Sequence, residues 1–255
     1  MFKIIKYVLL DIVRSRTVLG YTLFLMLSTW GMFLLESNPS KSMLSLINIL
    51  LIVIPLVSII FSTIHFYNSY EFMELMLSQP VKRSTVFAGS YSGAALALCM
   101  AFLIGTGIPV LVFNSSEAGM ALLAGGIILT FAFVSIAYLC AVLSRDKAKG
   151  TGIAILAWFF FGIIYDALLL LILFLFAEYP IEKLLLFFTF LNPVDLVRII
   201  LLLKMDVAAL MGMTGAVYSE LLGSIKGILI ASVVSVIWIV WPFALAMSIF
   251  KRKDI

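Results

Sequence analysis

Gly119-Met-Ala-Leu-Leu-Ala-Gly-Gly-Ile-Ile-Leu-Thr-Phe-Ala-Phe-Val-Ser-Ile-Ala-Tyr-Leu-Cys-Ala-Val-Leu143, followed at once by Ser-Arg145-Asp-Lys147-Ala-Lys149, decides the fold. A charge-free apolar run longer than the ~20 residues that cross a bilayer core as a helix ends on a cluster of basic residues. The pattern recurs along the chain. Apolar runs cover Thr17–Leu35, Ser45–Phe66, Val86–Phe113, Gly119–Leu143, Gly150–Ala177 and Gly227–Phe250, with the charges gathered between them. The chain of 255 residues is 64% hydrophobic and 12% charged, with a mean hydropathy of +1.22. A soluble domain cannot have that composition, because it needs a wet surface as well as a core. The chain reads as an all-α polytopic membrane protein with six transmembrane helices. Residues 1–255 form a single transmembrane domain, since no polar stretch is long enough for a separate soluble one.

The net charge of +4 says less than its placement. Lys3, Lys6, Arg14, Arg16, Lys82, Arg83, Arg145, Lys147, Lys149, Lys251, Arg252 and Lys253 fall on one side of the six-span reading. Lys41, Lys183, Arg198, Lys204 and Lys226 fall on the other, so twelve of the seventeen basic residues share a side. The positive-inside rule therefore places both termini in the cytoplasm. No small-residue cleavage site follows the basic start, which reads as an uncleaved N-terminus.

Glu182 to Leu203 is apolar enough to tempt a seventh span, but Asn192-Pro193 interrupts it. Proline removes a backbone donor and disfavours helix at the residue before it. A further span would also carry Lys251 to Lys253 outside. The expectation is an outer re-entrant hairpin and loop over residues 178–226, two short helices with Asn192 as N-cap and Pro193 in the first turn of the second. At the other end, residues 1–16 are amphipathic. Phe2, Ile5, Leu9 and Ile12 share one face, opposite Lys3, Lys6, Tyr7, Leu10, Asp11 and Arg14. This reads either as the basic flank of the first span or as an interfacial elbow helix.

Between the second and third spans lies Tyr67-Asn-Ser-Tyr-Glu71-Phe-Met-Glu74-Leu-Met-Leu-Ser-Gln79-Pro80-Val-Lys82-Arg83. Glu71 and Glu74 fall on one helical face beside Phe72, Met73, Leu75 and Met76, which could fill a groove on a partner. A solvated turn would not need Phe, Met and Leu exposed together. The segment resembles the cytoplasmic signature of type-2 ABC exporter permeases, where an acidic residue leads into a leucine-rich turn, then Ser-x-Pro-Val and a basic residue. The elbow helix, the six spans, the hairpin before the last span and the inside C-terminus resemble that family too. A second stretch, Phe190-Leu-Asn192-Pro193-Val-Asp195-Leu-Val-Arg198-Ile, with Tyr165-Asp166 in the fifth span, resembles the branch of the family that serves nitrous-oxide-reductase maturation.

The resemblance implies a set of partners. A separate cytoplasmic ATPase would dock on residues 67–85 as a coupling helix, with Glu71, Phe72, Glu74, Leu75, Gln79 and Pro80 as its contact residues. The chain would work as a homodimer in a bacterial inner membrane. Its outer hairpin, carrying Asn192, Pro193, Asp195 and Arg198, would face a periplasmic β-helical protein engaged in copper-site assembly. ATP would sit on the partner subunit, because this chain has no Gly-rich loop opening a Lys-Ser/Thr helix; Gly119 to Gly126 lacks the Lys. No cofactor and no nucleic acid is expected.

Charge inside a span is costly and functional by default. Asp166, in the outer half of the fifth span, is the clearest case, with either a structural role toward the hairpin or a role in the transport path. His65 ends the second span as an interfacial residue. Cys99 and Cys140 read as small buried hydrophobes. Of the methionines, Met205, Met211 and Met213 lie in the outer loop, and thioethers can bind Cu(I). Most of the 12 Met lie in apolar runs, however, and no metal site is expected. An intramembrane enzyme would need a nucleophile with a base, or paired carboxylates with His at bundle depth. Here Asp166 has no acidic partner in sequence and the one His lies at the membrane edge. The alternative within transport is an exporter of a lipid, drug or other amphiphile. A passive scaffold would leave the coupling loop unexplained.

Overall fold

The computed structural model describes residues 2–36, 38–176, 187–205 and 225–252. Helix α1 covers Phe2–Val13, α2 Arg16–Leu35, α3 Pro39–Asn68 and α4 Tyr70–Leu77. Helix α5 covers Arg83–Phe113 and α6 Glu117–Leu143, and α7 covers Lys147–Leu175. Helix α8 covers Pro193–Lys204 and α9 Ile225–Arg252. Among the described residues no strand occurs, and six helices are long and apolar enough to cross a membrane: α2, α3, α5, α6, α7 and α9. Each falls on one of the six apolar runs.

The helices start where side chains supply acceptors for their free first-turn N–H groups. Ser15 accepts from Val18 N, Ser116 from Gly119 N, and Asp146 from Ala148 N and Lys149 N. These two amide donors hold the exposed Asp146 carboxyl below the usual carboxylate range. Asn192 caps α8 through Val194 N, with Pro193 in the first turn, as its sequence suggests. The rest of the 178–226 segment lies outside the described residues, apart from 187–205 and Ile225–Lys226 of α9. That includes Met211 and Met213.

Helix α6 is the hub. It buries residues on every side, from Gly119 to Val142, and packs against α3, α5, α7, α8 and α9. Helix α7 is the opposite, burying only Gly150 and Ala154. Small residues let the backbones close up. A side chain at Gly125 would strike Val197 of α8, and one at Gly126 would overlap the Phe102 ring of α5. Gly125 and Gly126 are thus covered from within the bundle. Where α5 meets α6, Ser90 Oγ pairs with Tyr138 Oη and Tyr91 Oη with Ser135 Oγ, each at 2.9 Å. These reciprocal bonds satisfy hydroxyls that water cannot reach.

Helix α1 docks on the other notch of α5. It buries Ile4, Val8 and Ile12, which corrects the expected stripe of Phe2, Ile5, Leu9 and Ile12; Phe2 is 89% exposed. The reason is the partner surface. Ile4 sits over Gly89 and Val8 over Gly93, so protein packing selects the buried face. A Cβ on Gly93 would lie 2.6 Å from Val8 Cγ1 and 3.3 Å from the Ile5 carbonyl oxygen. Gly93→Leu is therefore expected to lift α1 off the bundle at a cost of about 1–3 kcal/mol. Gly20→Leu, with nothing within 4 Å of its Cβ, should leave α1 in place. Limited proteolysis at Lys3 and Lys6 reads the difference.

Candidate functional sites: the short acidic helix and the far-end ion cluster

The first site is built by a break. The chain leaves α3 at Asn68, turns at Ser69 (φ −88°, ψ 4°) and restarts as α4, which stops at Ser78 before Gln79-Pro80. Ser69 does not cap α4; its hydroxyl instead pairs with His65 Nε2 at 3.3 Å. Met73 fixes α4 to the bundle and is 1% exposed. Phe72 stacks on Tyr7 of α1, ring centroids 5.1 Å apart, and Met76 packs half-buried against the core. Of the apolar side chains on this helix, Leu75 is the one that projects, 68% exposed. Glu71, Glu74, Leu75 and Ser78 recur at helical spacing and form one free face, with Gln79 and Pro80 exposed beyond it.

That face is acidic where its surroundings are basic. Among the described residues no ion pair or hydrogen bond engages the Glu71 or Glu74 carboxylate. Lys147 of α7 donates to Asn68 Oδ1 at 2.8 Å, and the Tyr67 hydroxyl donates to the carbonyls of Ala141 and Ser144 at 3.1 and 3.2 Å. Arg83 reaches the Lys251 carbonyl. Helix α4 is thus held directly by α1, while the end of α3 that leads into it is tied to the α6–α7 junction and the start of α5 that follows it to the end of α9. The braces Tyr7, Tyr67, Asn68 and Lys147 were not singled out from sequence. A tyrosine opening the motif, ahead of a break in an apolar helix, was the signal available for Tyr67.

The second site lies at the far end of α7. Asp166 accepts from Arg198 Nη1 of α8 at 2.7 Å, and the same nitrogen reaches Asp195 Oδ1 at 3.1 Å. Asn192 Nδ2 donates to Asp195 Oδ2 at 2.9 Å and to the Phe161 carbonyl at 2.8 Å. Phe161 lies in a π-helical turn, Phe160–Ile164, where a widened backbone frees a carbonyl from the regular ladder. One step on, the Tyr165 hydroxyl donates to the Phe188 carbonyl at 2.5 Å. Asn192, Asp195 and Arg198 are therefore brought together with Asp166, which clamps α8 to α7. Asp166 does have an acidic neighbour, contrary to the sequence reading, because α8 returns across the α7 face. His65 stays at the opposite end, stacked on Phe61.

Burial pushes the Asp195 carboxyl up from its ordinary value, and the neighbouring Asp166 carboxylate adds to this; Arg198 and Asn192 pull the other way. Asp166, Arg198 and Asn192 are the groups that face it. A raised folded-state value means that the native form holds the proton more tightly. The stabilisation is complete below the ordinary aspartate pKa of about 3.9 and is lost as pH rises through the raised value. Thermal stability of the purified chain is expected to fall as pH rises from about 4 to about 7 and to level off above that. Asp195→Asn should flatten that slope.

Among the described residues no group of three or more His, Cys or carboxylates gathers as a metal site would. The chain matches the model of the ABC-2 family transporter proteins over residues 3–255. It belongs to that family and is a membrane-spanning permease of an ABC transporter, a class that works with a cytoplasmic ATPase. Among its relatives is the "Probable ABC transporter permease protein NosY" of Pseudomonas aeruginosa, 31% identical over 191 residues, 71% of this chain and 68% of that one. The protein of the same name from Stutzerimonas stutzeri is 31% identical over 136 residues, 49% of each chain.

Proposed function

We propose that this chain is the permease of an ABC transporter in a bacterial inner membrane that couples ATP hydrolysis, by a separate cytoplasmic subunit, to work at the outer face during nitrous-oxide-reductase copper-site maturation. The observation that carries the reading is the unpaired Glu71–Glu74–Leu75 face, presented at the basic end of the bundle on a helix anchored by Met73 and Phe72. An ATPase docks there, and α4 acts as the coupling helix. With eleven basic residues at that end among the described residues, it is cytoplasmic, as are both termini, and α1 is the elbow helix.

Helix α7 carries the motion outward. From Lys147, bonded beside α4, to Asp166, clamped to α8, it rises about 28 Å. It buries so little against the bundle that it can tilt as a lever. Spans whose one described internal charge is already paired give no ion-lined path, so the work is relayed force rather than ion flow. Two copies form the working unit, and α8 with its neighbouring outer segment meets a periplasmic β-helical protein of the NosD kind. The chain itself binds no cofactor; ATP stays on the partner.

An affinity pull-down of the solubilised chain from native membranes, with ATPase activity assayed on the eluate, tests the reading. It expects both a cytoplasmic ATPase and a periplasmic β-helical protein. An ATPase alone points to export of a lipid, drug or other amphiphile. No ATPase contradicts the proposal.

A further inference from the structure

A groove of about 480 Å³ lies between the α1–α2 corner and one face of α3. Its wall is the half-buried row Leu56, Val57, Ile60, Phe61 and Ile64, spaced as a single helical stripe. Its mouth is polar: Asp11, Ser15, His65, Asn68 and Ser69. From Leu56 to its C-cap Ser69, α3 rises about 20 Å, about two thirds of a ~30 Å hydrocarbon core. The groove therefore has the length and polarity gradient of one phospholipid, with its head at the α4 end.

The charge at the mouth narrows the headgroup. Helix α1 carries Lys3 and Lys6, and Arg14 and Arg16 follow it, a set suited to an anionic surface. Asp11 is the acid among them, it lines the groove, and among the described residues no ion pair engages it. An unpaired carboxylate above an apolar channel, with Arg14 and Arg16 on either side of the lining residue Ser15 in the chain, complements a zwitterion with its ammonium inward and its phosphate toward those arginines. We infer that the groove is a resident site for an aminophospholipid. Its primary ammonium pairs with Asp11, its phosphate lies toward the Ser15 and Ser69 hydroxyls and the Arg14–Arg16 rim, and an acyl chain runs along α3. The bound lipid would fill the space between the elbow and α3 and so bear on the base of α4, one residue beyond Ser69.

Native mass spectrometry of the full chain, depleted of lipid and titrated separately with phosphatidylethanolamine, phosphatidylcholine and phosphatidylglycerol, tests this. One phosphatidylethanolamine should bind about fivefold tighter than the other two, the scale of a half-exposed ion pair. Asp11→Asn, a change at an exposed position, should erase that preference. Ile60→Trp should remove the bound lipid. Equal binding of all three lipids by the unmodified chain would overturn the proposal, as would an unchanged preference in Asp11→Asn. Loss of self-association in Ile60→Trp with lipid stoichiometry intact would assign the groove to a second copy of the chain and overturn it equally.

Discussion

Reversing both charges of the short acidic helix, Glu71→Lys with Glu74→Lys, is expected to weaken ATPase binding about 100-fold while the permease still inserts and folds. Two like-charge contacts replace two complementary ones, and each close charged contact across a protein interface is worth roughly a factor of ten or more. Neither carboxylate has a partner to lose among the described residues, so the bundle itself is not disturbed. Leu75 is left flanked by cations. ATP hydrolysis by the complex should fall with binding, measured at fixed subunit concentrations. The control is Glu117→Lys at the start of α6, where Glu117 pairs with Lys204 at 3.2 Å on the opposite end of the bundle. It should leave ATPase binding unchanged. Equal binding by the double variant would detach the α4 face from coupling.

Arg198→Met is expected to destabilise the far end by about 2–3 kcal/mol, less than a fully buried pair would lose because the Arg198 and Asp166 side chains keep 29% and 30% of their exposure. Without the guanidinium, the Asp166 carboxylate loses its cation, and Asp195, nearly sealed from water, is left to share a proton with it. The loss should shrink when Asp166→Asn is added, since the carboxylate charge that the arginine had paired is then gone. A double-mutant cycle on unfolding temperature measures that coupling. If α7 carries motion from the coupling helix to α8, Arg198→Met should also leave ATP hydrolysis running while activity at the outer face fails. Additive losses across the cycle would mean that the arginine does not hold the carboxylates together.

Much of this architecture could be read from the chain because a bilayer leaves few choices. Backbone polar groups have no water partner there, so a long apolar run must be a helix, and all six runs proved to be helices. Asn192-Pro193 fixed a helix start by capping chemistry that acts within four residues. What was hidden depended on packing between distant segments. The buried stripe of α1 is chosen by Gly89 and Gly93, some eighty residues away, and no periodicity within α1 could register that. The clamp was half visible. Asp166, Asn192, Asp195 and Arg198 each stood out by type, yet their meeting depends on how α8 lies across α7 and on a π turn that frees the Phe161 carbonyl. At the α4 end, the acids and Leu75 were legible as a surface. Phe72 was read as part of the same surface; that it stacks on Tyr7 instead could not be seen, because Tyr7 comes from the start of the chain.

The two sites belong to one device if the ATPase sits on α4. The most direct measurement is photo-cross-linking in intact cells, with a photoreactive side chain placed in turn at Leu75 and at Leu111, both exposed and at opposite ends of the bundle. The coupling reading predicts a covalent adduct with the ATPase from position 75 and none from position 111. An ATPase that co-purifies with the chain yet gives no adduct at position 75 would contradict it.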